Sequence, residues 1–153
     1  MTTAVEIRRA ALADLASLAA LFDCYRQFYG QVADLQGAAA FLGQRLARGD
    51  SVVFLAQQLG ESVGFTQLYP SFTSAGMAPI YVLNDLFVAP EARGRGVATA
   101  LLRHATGFAR GEGAVRLTLS TATGNASAQA LYKREGWARD EAFFVYNLPL
   151  AAP

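Results

Sequence analysis

The chain has 153 residues, 53% hydrophobic and 16% charged, with a formal net charge of +1. That length and composition suit one folded domain over 1–153 and exclude a disordered polymer. Near-neutral charge argues against a nucleic-acid partner, which usually demands a strongly basic face. No apolar run approaches the roughly 20 residues that span a bilayer, so no membrane partner is expected. A single cysteine, Cys24, excludes an internal disulfide and a thiolate metal site.

The first residues, Met1-Thr2-Thr3-Ala4-Val5-Glu6, lack the basic and apolar regions of a secretion signal, so the cytoplasm is the expected compartment. Val5–Arg8 alternates as a short strand. From Leu12, apolar residues recur at three- and four-residue spacing through Leu15, Leu18, Phe22 and Tyr25, predicting a helix that stops at Gly30. Gly37–Ala47 predicts a second helix. Ser51–Leu59 and Ser62–Tyr69, joined at Gly60-Glu61, read as an antiparallel hairpin. Pro70–Pro79 reads as a loop, and Ile80–Val88 as a long strand closed by Ala89-Pro90.

Gly96 then opens a helix to about Arg110, with Val97, Leu101, Ala105 and Phe108 along one face. Ala114–Thr121 alternates as a strand. Ala126–Glu135 is a helix ending at Gly136, and Glu141–Leu148 is strand-like. The fold class is therefore α/β: a mixed, mostly antiparallel sheet with helices on both faces. Ile80–Val88 and Ala114–Thr121, joined by a helix, form a crossover whose strands run parallel.

Two blocks carry chemistry. In the first, a strand ending in Leu86-Phe87-Val88 leads into Arg93-Gly94-Arg95-Gly96-Val97-Ala98 and a helix start. A helix N-terminus offers unpaired N–H groups and a positive dipole end, so it binds phosphate readily. Gly94 and Gly96 allow close backbone approach, and Arg93 and Arg95 add charge. A dinucleotide fingerprint starting at Gly94 fails at Thr99, and the Gly-Lys-Ser/Thr of a P-loop is missing.

Arg93-x-x-Gly96-x-Ala98 resembles the Arg/Gln-x-x-Gly-x-Gly/Ala signature of the GNAT acetyltransferase superfamily. The second block strengthens the resemblance. Asn125-x-x-Ala128-x-x-Leu131-Tyr132, followed by Gly136-Trp137, matches that family's other diagnostic segment. Asn125, Ala128 and Tyr132 fall on one helix face at 100° per residue. The resemblance covers nearly the whole chain, but only residues 83–137 carry specific motifs.

That resemblance implies acetyl-CoA as acetyl donor and no metal. It places the cofactor's pyrophosphate at Arg93 to Ala98, with Thr99 assisting, and its pantetheine arm along Leu86, Phe87 and Val88. Asn125 and Ala128 then lie where the arm passes, with Tyr132 near the sulfur. The implied activity is direct transfer of acetyl to a primary amine of a small molecule, polyamine or peptide; the alternative is a non-catalytic acyl-CoA-binding module.

The oxyanion donor implied is a backbone N–H beside the splayed strand, such as that of Val88. A phenol (pKa about 10) is a weaker acid than a thiol (about 8.5), so protonating a thiolate runs uphill by roughly 2 kcal/mol. Tyr132 is thus first a hydrogen-bond donor to sulfur and second a proton donor. Where many family members carry a Glu base, this chain has Asn84-Asp85. Asn84 does not titrate. The base is Asp85, redirected by a β-bulge, or a water chain touching Asn84; Glu61 and Asp23 rank below. Tyr25, Phe28, Tyr29, Tyr69 and Phe72, together with Asp85, are the candidates for cradling the acceptor ammonium. His104 is expected on the surface and Cys24 in the core. The aromatic run Phe143-Phe144-Val145-Tyr146 is expected under a second subunit of a homodimer.

Overall fold

The computed structural model describes residues 4–151. The chain parts into two compact units, divided between Ser120 and Thr121.

The first unit is a five-stranded sheet in sequence order: β1 (Glu6–Arg9), β2 (Val52–Gln58), β3 (Glu61–Thr73), β4 (Ala78–Val88) and β5 (Leu117–Thr118). The first three pairings are antiparallel and β4–β5 is parallel. Helices α1 (Leu15–Phe28) and α2 (Leu35–Arg48) connect β1 to β2, and α3 (Val97–Gly111) is the crossover from β4 to β5.

Each element follows from its residues. Alpha1 buries Leu18, Ala19, Leu21 and Phe22 on one stripe, and Gly30, at φ 83°, reverses the chain after its last turn. Alpha2 begins where Asp34 accepts from the Gly37 N–H at 2.9 Å, a side-chain cap, and ends at left-handed Gly49. The β2–β3 turn puts Leu59 and Gly60 both at positive φ (51° and 79°), the geometry whose twist matches a hairpin.

The sheet has two covered faces. Val53, Leu55, Phe65 and Phe87 pack with Leu18, Phe22, Ala38 and Leu42 of α1 and α2. On the other face Phe54 and Tyr81 meet Phe108 of α3, at ring distances of 5.3 and 5.4 Å. Fully burying one of these Leu or Phe side chains contributes about 1.5–3 kcal/mol.

Three expectations change in the first unit. Pro70–Pro79 is not a loop: β3 runs to Thr73, β4 starts at Ala78, and only four residues turn between them. Pairing of β3 with β2 ends at Val52–Leu68, so Pro70 sits where one side of β3 is already an edge and a missing N–H costs no ladder bond. The strand expected over Ala114–Thr121 shrinks to Leu117–Thr118, because only Tyr81 and Val82 of β4 pair with it. Cys24 is exposed, pointing away from the buried stripe of α1.

The second unit contains α4 (Ala126–Arg134). Asn125 caps it, its Oδ1 accepting from the Ala128 N–H at 3.2 Å, and Gly136 at φ 92° follows its end. Glu141–Leu148 is not a strand. A strand needs a partner for its backbone groups, and none pairs with this segment among the described residues. Instead Asp140 Oδ1 accepts from the N–H groups of Ala142 and Phe143, and Phe143, Phe144, Val145 and Tyr146 are exposed. Among the described residues no helix is long and apolar enough to cross a membrane.

Candidate active site

Beta4 carries a bulge. Gln67 faces Asp85, yet the next residue, Leu68, faces Leu83, so Asn84 is extra in the ladder. An ideal strand alternates faces with period two, and one extra residue inverts that alternation. Phe87, like Asp85, therefore faces α1, whereas Tyr81 faces α3. A bulge, one way of redirecting Asp85, is thus present, and it turns Asp85 to the α1 side of the sheet.

Asp85 is 4% exposed. Its Oδ2 accepts from Gln67 Nε2 at 2.7 Å and its Oδ1 from Asn84 Nδ2 at 3.1 Å. The Asp85 carbonyl accepts from Thr66 Oγ1 at 2.8 Å, which steadies the bulged backbone. Tyr25 donates to the Asn84 carbonyl at 3.4 Å and stacks edge-on against Tyr29, Phe65 and Phe87. Burial pushes the Tyr25 phenol well above its usual range, with the Asp85 carboxylate adding to the shift. Tyr69 is pushed up to about 12, again by burial first and Asp85 second. Both phenols stay protonated at neutral pH and serve as neutral donors beside an acid.

Asp85, Asn84, Tyr25, Tyr29 and Tyr69 thus form one cluster. Phe72 does not join it: it lies three residues beyond Tyr69, on the opposite face of β3, and is 75% exposed. The lower-ranked bases are placed elsewhere. Asp23 is buried and committed to structure, accepting from the Asp34 N–H and from Arg26 and Gln27; the Asp34 bond first, with Arg26 helping, lowers its pKa. Glu61 is exposed at the start of β3. Gln67 and Thr66 were not among the sequence candidates. Their one signal was a polar pair inside an otherwise apolar strand run.

The phosphate-loop candidate adjoins this cluster along β4. Gly94 and Gly96 adopt φ 74° and 82°, and a Cβ at either would meet open space. The positive φ, rather than a clash, is what calls for glycine here. Gly96 caps α3 without any side-chain cap, and the first helical bond runs from the Ala100 N–H to the Gly96 carbonyl. The N–H groups of Val97, Ala98 and Thr99 lie ahead of that bond, in the orphan positions of a helix start. The first turn of α3 carries no acidic residue.

Arg93 is tied to the strand and helix beside the loop. Its Nε donates to the Val88 carbonyl at 2.8 Å, and its guanidinium lies 5.7 Å from the Phe28 ring and 5.4 Å from that of Phe87. The side chain thus folds back to tie the loop to β4 and α1. Arg95 is exposed. The β5-facing edge of β4 is paired at Tyr81 and Val82, and from Leu83 to Val88 no strand pairs there among the described residues. Leu86, Phe87 and Val88 therefore run along an open edge that ends at the loop.

In the second unit Asn125, Ala128 and Tyr132 are half-buried while Ala126, Ser127, Gln129 and Ala130 are exposed, so the three share the better-covered face of α4. Tyr132 lies 6.0 Å from Trp137, whose N–H donates to the Tyr132 carbonyl at 2.9 Å. The Oδ1 of Asn125 is engaged in capping. His104, on α3, is exposed, with its ring 4.6 Å from Phe54. No group of three metal-ligating side chains exists among the described residues.

Residues 18–137 match the Acetyltransferase (GNAT) family. Over 97% of this chain and 99% of the relative, the sequence is 47% identical to an uncharacterized N-acetyltransferase, YhfO, of Bacillus subtilis (strain 168). It is 28% identical, over 98% of this chain and 97% of the relative, to the aminoglycoside N(6')-acetyltransferase type 1 of Stenotrophomonas maltophilia. A crystal structure of a probable acetyltransferase superposes with a TM-score of 0.92 at 42% identity, covering 97% of this chain and 99% of that one.

Proposed function

The chain belongs to the GNAT family of acetyltransferases and is an N-acetyltransferase; on that premise we propose that it moves acetyl from acetyl-CoA directly to a primary amine, with Asp85 as the base. The observation that carries this reading is the bulge at Asn84. It turns a buried carboxylate toward Tyr25 and Tyr69, beside the open edge of β4.

The chemistry follows from proton accounting. An alkylammonium has a pKa near about 10.4, so at neutral pH the acceptor arrives charged. Aromatic rings and a carboxylate attract that cation. Asp85 then takes one proton, and the freed amine attacks the thioester carbon. The Val88 N–H faces the developing oxyanion, and the family resemblance gives Tyr132 as the donor to the departing sulfur. The acetyl-CoA pyrophosphate sits on the N–H groups of Gly94 to Thr99, aided by Arg95, with its arm along Leu86 to Val88; the same resemblance gives Asn125 and Ala128 as residues of the arm's path. Arg93 holds the loop in place.

For the acceptor, the relative that acts on aminoglycosides supports a small polycationic amine. Tyr25, Tyr29 and Asp85 suit one ammonium of such a molecule, with Phe28 at the outer end of α1. We place the enzyme in the cytoplasm, as a homodimer whose second subunit covers Phe143 to Tyr146. Light scattering giving the mass of one chain overturns the dimer. The activity is tested by thiol release from acetyl-CoA against polyamines, aminoglycosides, amino acids and lysine peptides. Turnover with at least one primary amine is expected; acetyl-CoA binding without turnover across the panel overturns the reading.

A further inference from the structure

Gln67 is fully buried, yet only half of its amide is used. Nε2 donates to Asp85 Oδ2 at 2.7 Å, while Oε1 is buried and accepts no hydrogen bond among the described residues. An unpaired buried acceptor is costly, and an apolar side chain of the same shape would avoid that cost. The orientation itself has a clear cause. A rotated amide would set Oε1 against a carboxylate oxygen, two acceptors in contact.

We propose that Gln67 is the positioning residue for Asp85 and that its two amide ends serve the two protonation states of that carboxyl group. This rests on Asp85 being the base. With Asp85 ionised, Nε2 donates to Oδ2, and Asn84 Nδ2 holds Oδ1. When the acceptor R–NH3+ gives up its proton, one N–H bond breaks and its electron pair stays on nitrogen. An O–H bond forms on Asp85, and the ammonium–carboxylate pair becomes a neutral amine and a neutral acid.

The new O–H needs an acceptor where Nε2 offers none. A half-turn of the amide about its terminal torsion, which is two-fold and soft, brings Oε1 to it. The unpaired oxygen is the acceptor reserved for the protonated state. When Asp85 passes its proton to solvent, the amide turns back.

The groups around Asp85 leave this exchange legible. Tyr25 faces it from α1 and Tyr69 from β3, with Tyr29 packed behind Tyr25 at 5.0 Å, and beyond Tyr69 Arg45 of α2 is paired with Asp50 at 2.8 Å. Tyr25 and Tyr69 are held neutral through the working range.

The test is a carbon-13 titration of the Asp85 carboxyl with nitrogen-15 detection of the Gln67 side chain, which needs no acceptor. In the unaltered protein the Gln67 amide signals should move with the same midpoint as Asp85. Gln67→Leu should raise that midpoint, since a donor to the charged form is lost. Gln67→Glu, of the same shape, should raise it by about one unit or more, because two close carboxylates share a proton. With sisomicin or spermidine as acceptor, Gln67→Leu should lower kcat about tenfold and leave KM for acetyl-CoA unchanged. A purely structural glutamine would leave the Gln67 amide signals still through the Asp85 titration and the Asp85 midpoint unmoved in Gln67→Leu, and that result overturns the proposal. Asp85→Asn separates the two levels: full turnover in that variant removes the base assignment, whatever the Gln67 variants show.

Discussion

Arg93 Nε donates to the Val88 carbonyl at 2.8 Å, so the first arginine of the Arg93-to-Ala98 loop reaches back to the strand that delivers it. Its guanidinium, close to the rings of Phe28 and Phe87, joins the loop to α1, the helix that also supplies Tyr25. Loss of a charged hydrogen bond and two cation–π contacts should cost about 1–3 kcal/mol. Arg93→Ala should therefore lower the unfolding midpoint and raise KM for acetyl-CoA about tenfold, with kcat changed far less. Arg93→Lys should not restore it, because a lysine cannot present the flat stacked face. Steady-state kinetics with acetyl-CoA varied would expose the opposite pattern.

Asp85→Asn keeps the size of the side chain and removes its basicity. Positioned bases contribute about 10²–10⁴ in rate, so turnover at neutral pH should fall by that range. Acetyl-CoA affinity should stay within a factor of about three, since the proposed role of Asp85 is toward the acceptor and not the cofactor. Raising the pH should recover part of the rate by supplying free amine directly. Isothermal titration beside a pH–rate profile reads both quantities.

Tyr132→Phe should lower kcat more than it alters acetyl-CoA binding, as expected for a donor to the leaving sulfur. Equal turnover in the two proteins would remove Tyr132 from the mechanism.

Gly96 stands at φ 82°, where an L side chain costs about 1–2 kcal/mol. The site is open, so Gly96→Ala should fold, with the loss visible in chemical denaturation. Because Gly96 caps α3, the variant should also weaken acetyl-CoA binding; wild-type affinity would show that the loop does not hold the pyrophosphate.

Asp14 gives the chain an acid-sensitive tie. Its carboxylate accepts from Arg8 Nη1 at 2.9 Å and from the Ala11 N–H at 2.8 Å, and the Arg8 bond first, then that N–H, lowers its pKa to about 2. A lowered folded value means stability that is fully present above the unfolded value, near about 4. It is lost as pH falls from there toward about 2. Asp14→Asn should destabilise the protein at neutral pH, and the gap from wild type should close through that window. Urea midpoints from pH 7 to pH 2 would reveal a constant gap if the pairing were inert.

The periodic elements were legible because they depend on local rules. Leu15, Leu18, Phe22 and Tyr25 wrote α1 at helical spacing, and the turn at Gly60-Glu61 between two apolar runs wrote the β2–β3 hairpin. Residues Pro70 to Pro79 misled because proline and glycine mark turns only when both strand edges are paired, and pairing is not local. Glu141–Leu148 misled in the opposite sense: its residues favour a strand, but a strand forms only against a partner. Cys24 was misplaced because a small apolar residue carries no sign of which helix face it takes.

The site divides in the same way. By itself the sequence determined the family, the loop from Arg93 to Ala98 and the helix face of Asn125, Ala128 and Tyr132, because these are short-range patterns of residue type and spacing. Only the tertiary structure decided which way Asp85 points, what Arg93 holds and that Gln67 matters at all. Each of those rests on one residue of register between β3 and β4 and on what α1 lays across them. A bulge inverts the face of every residue beyond it, and no local rule fixes where the extra residue falls.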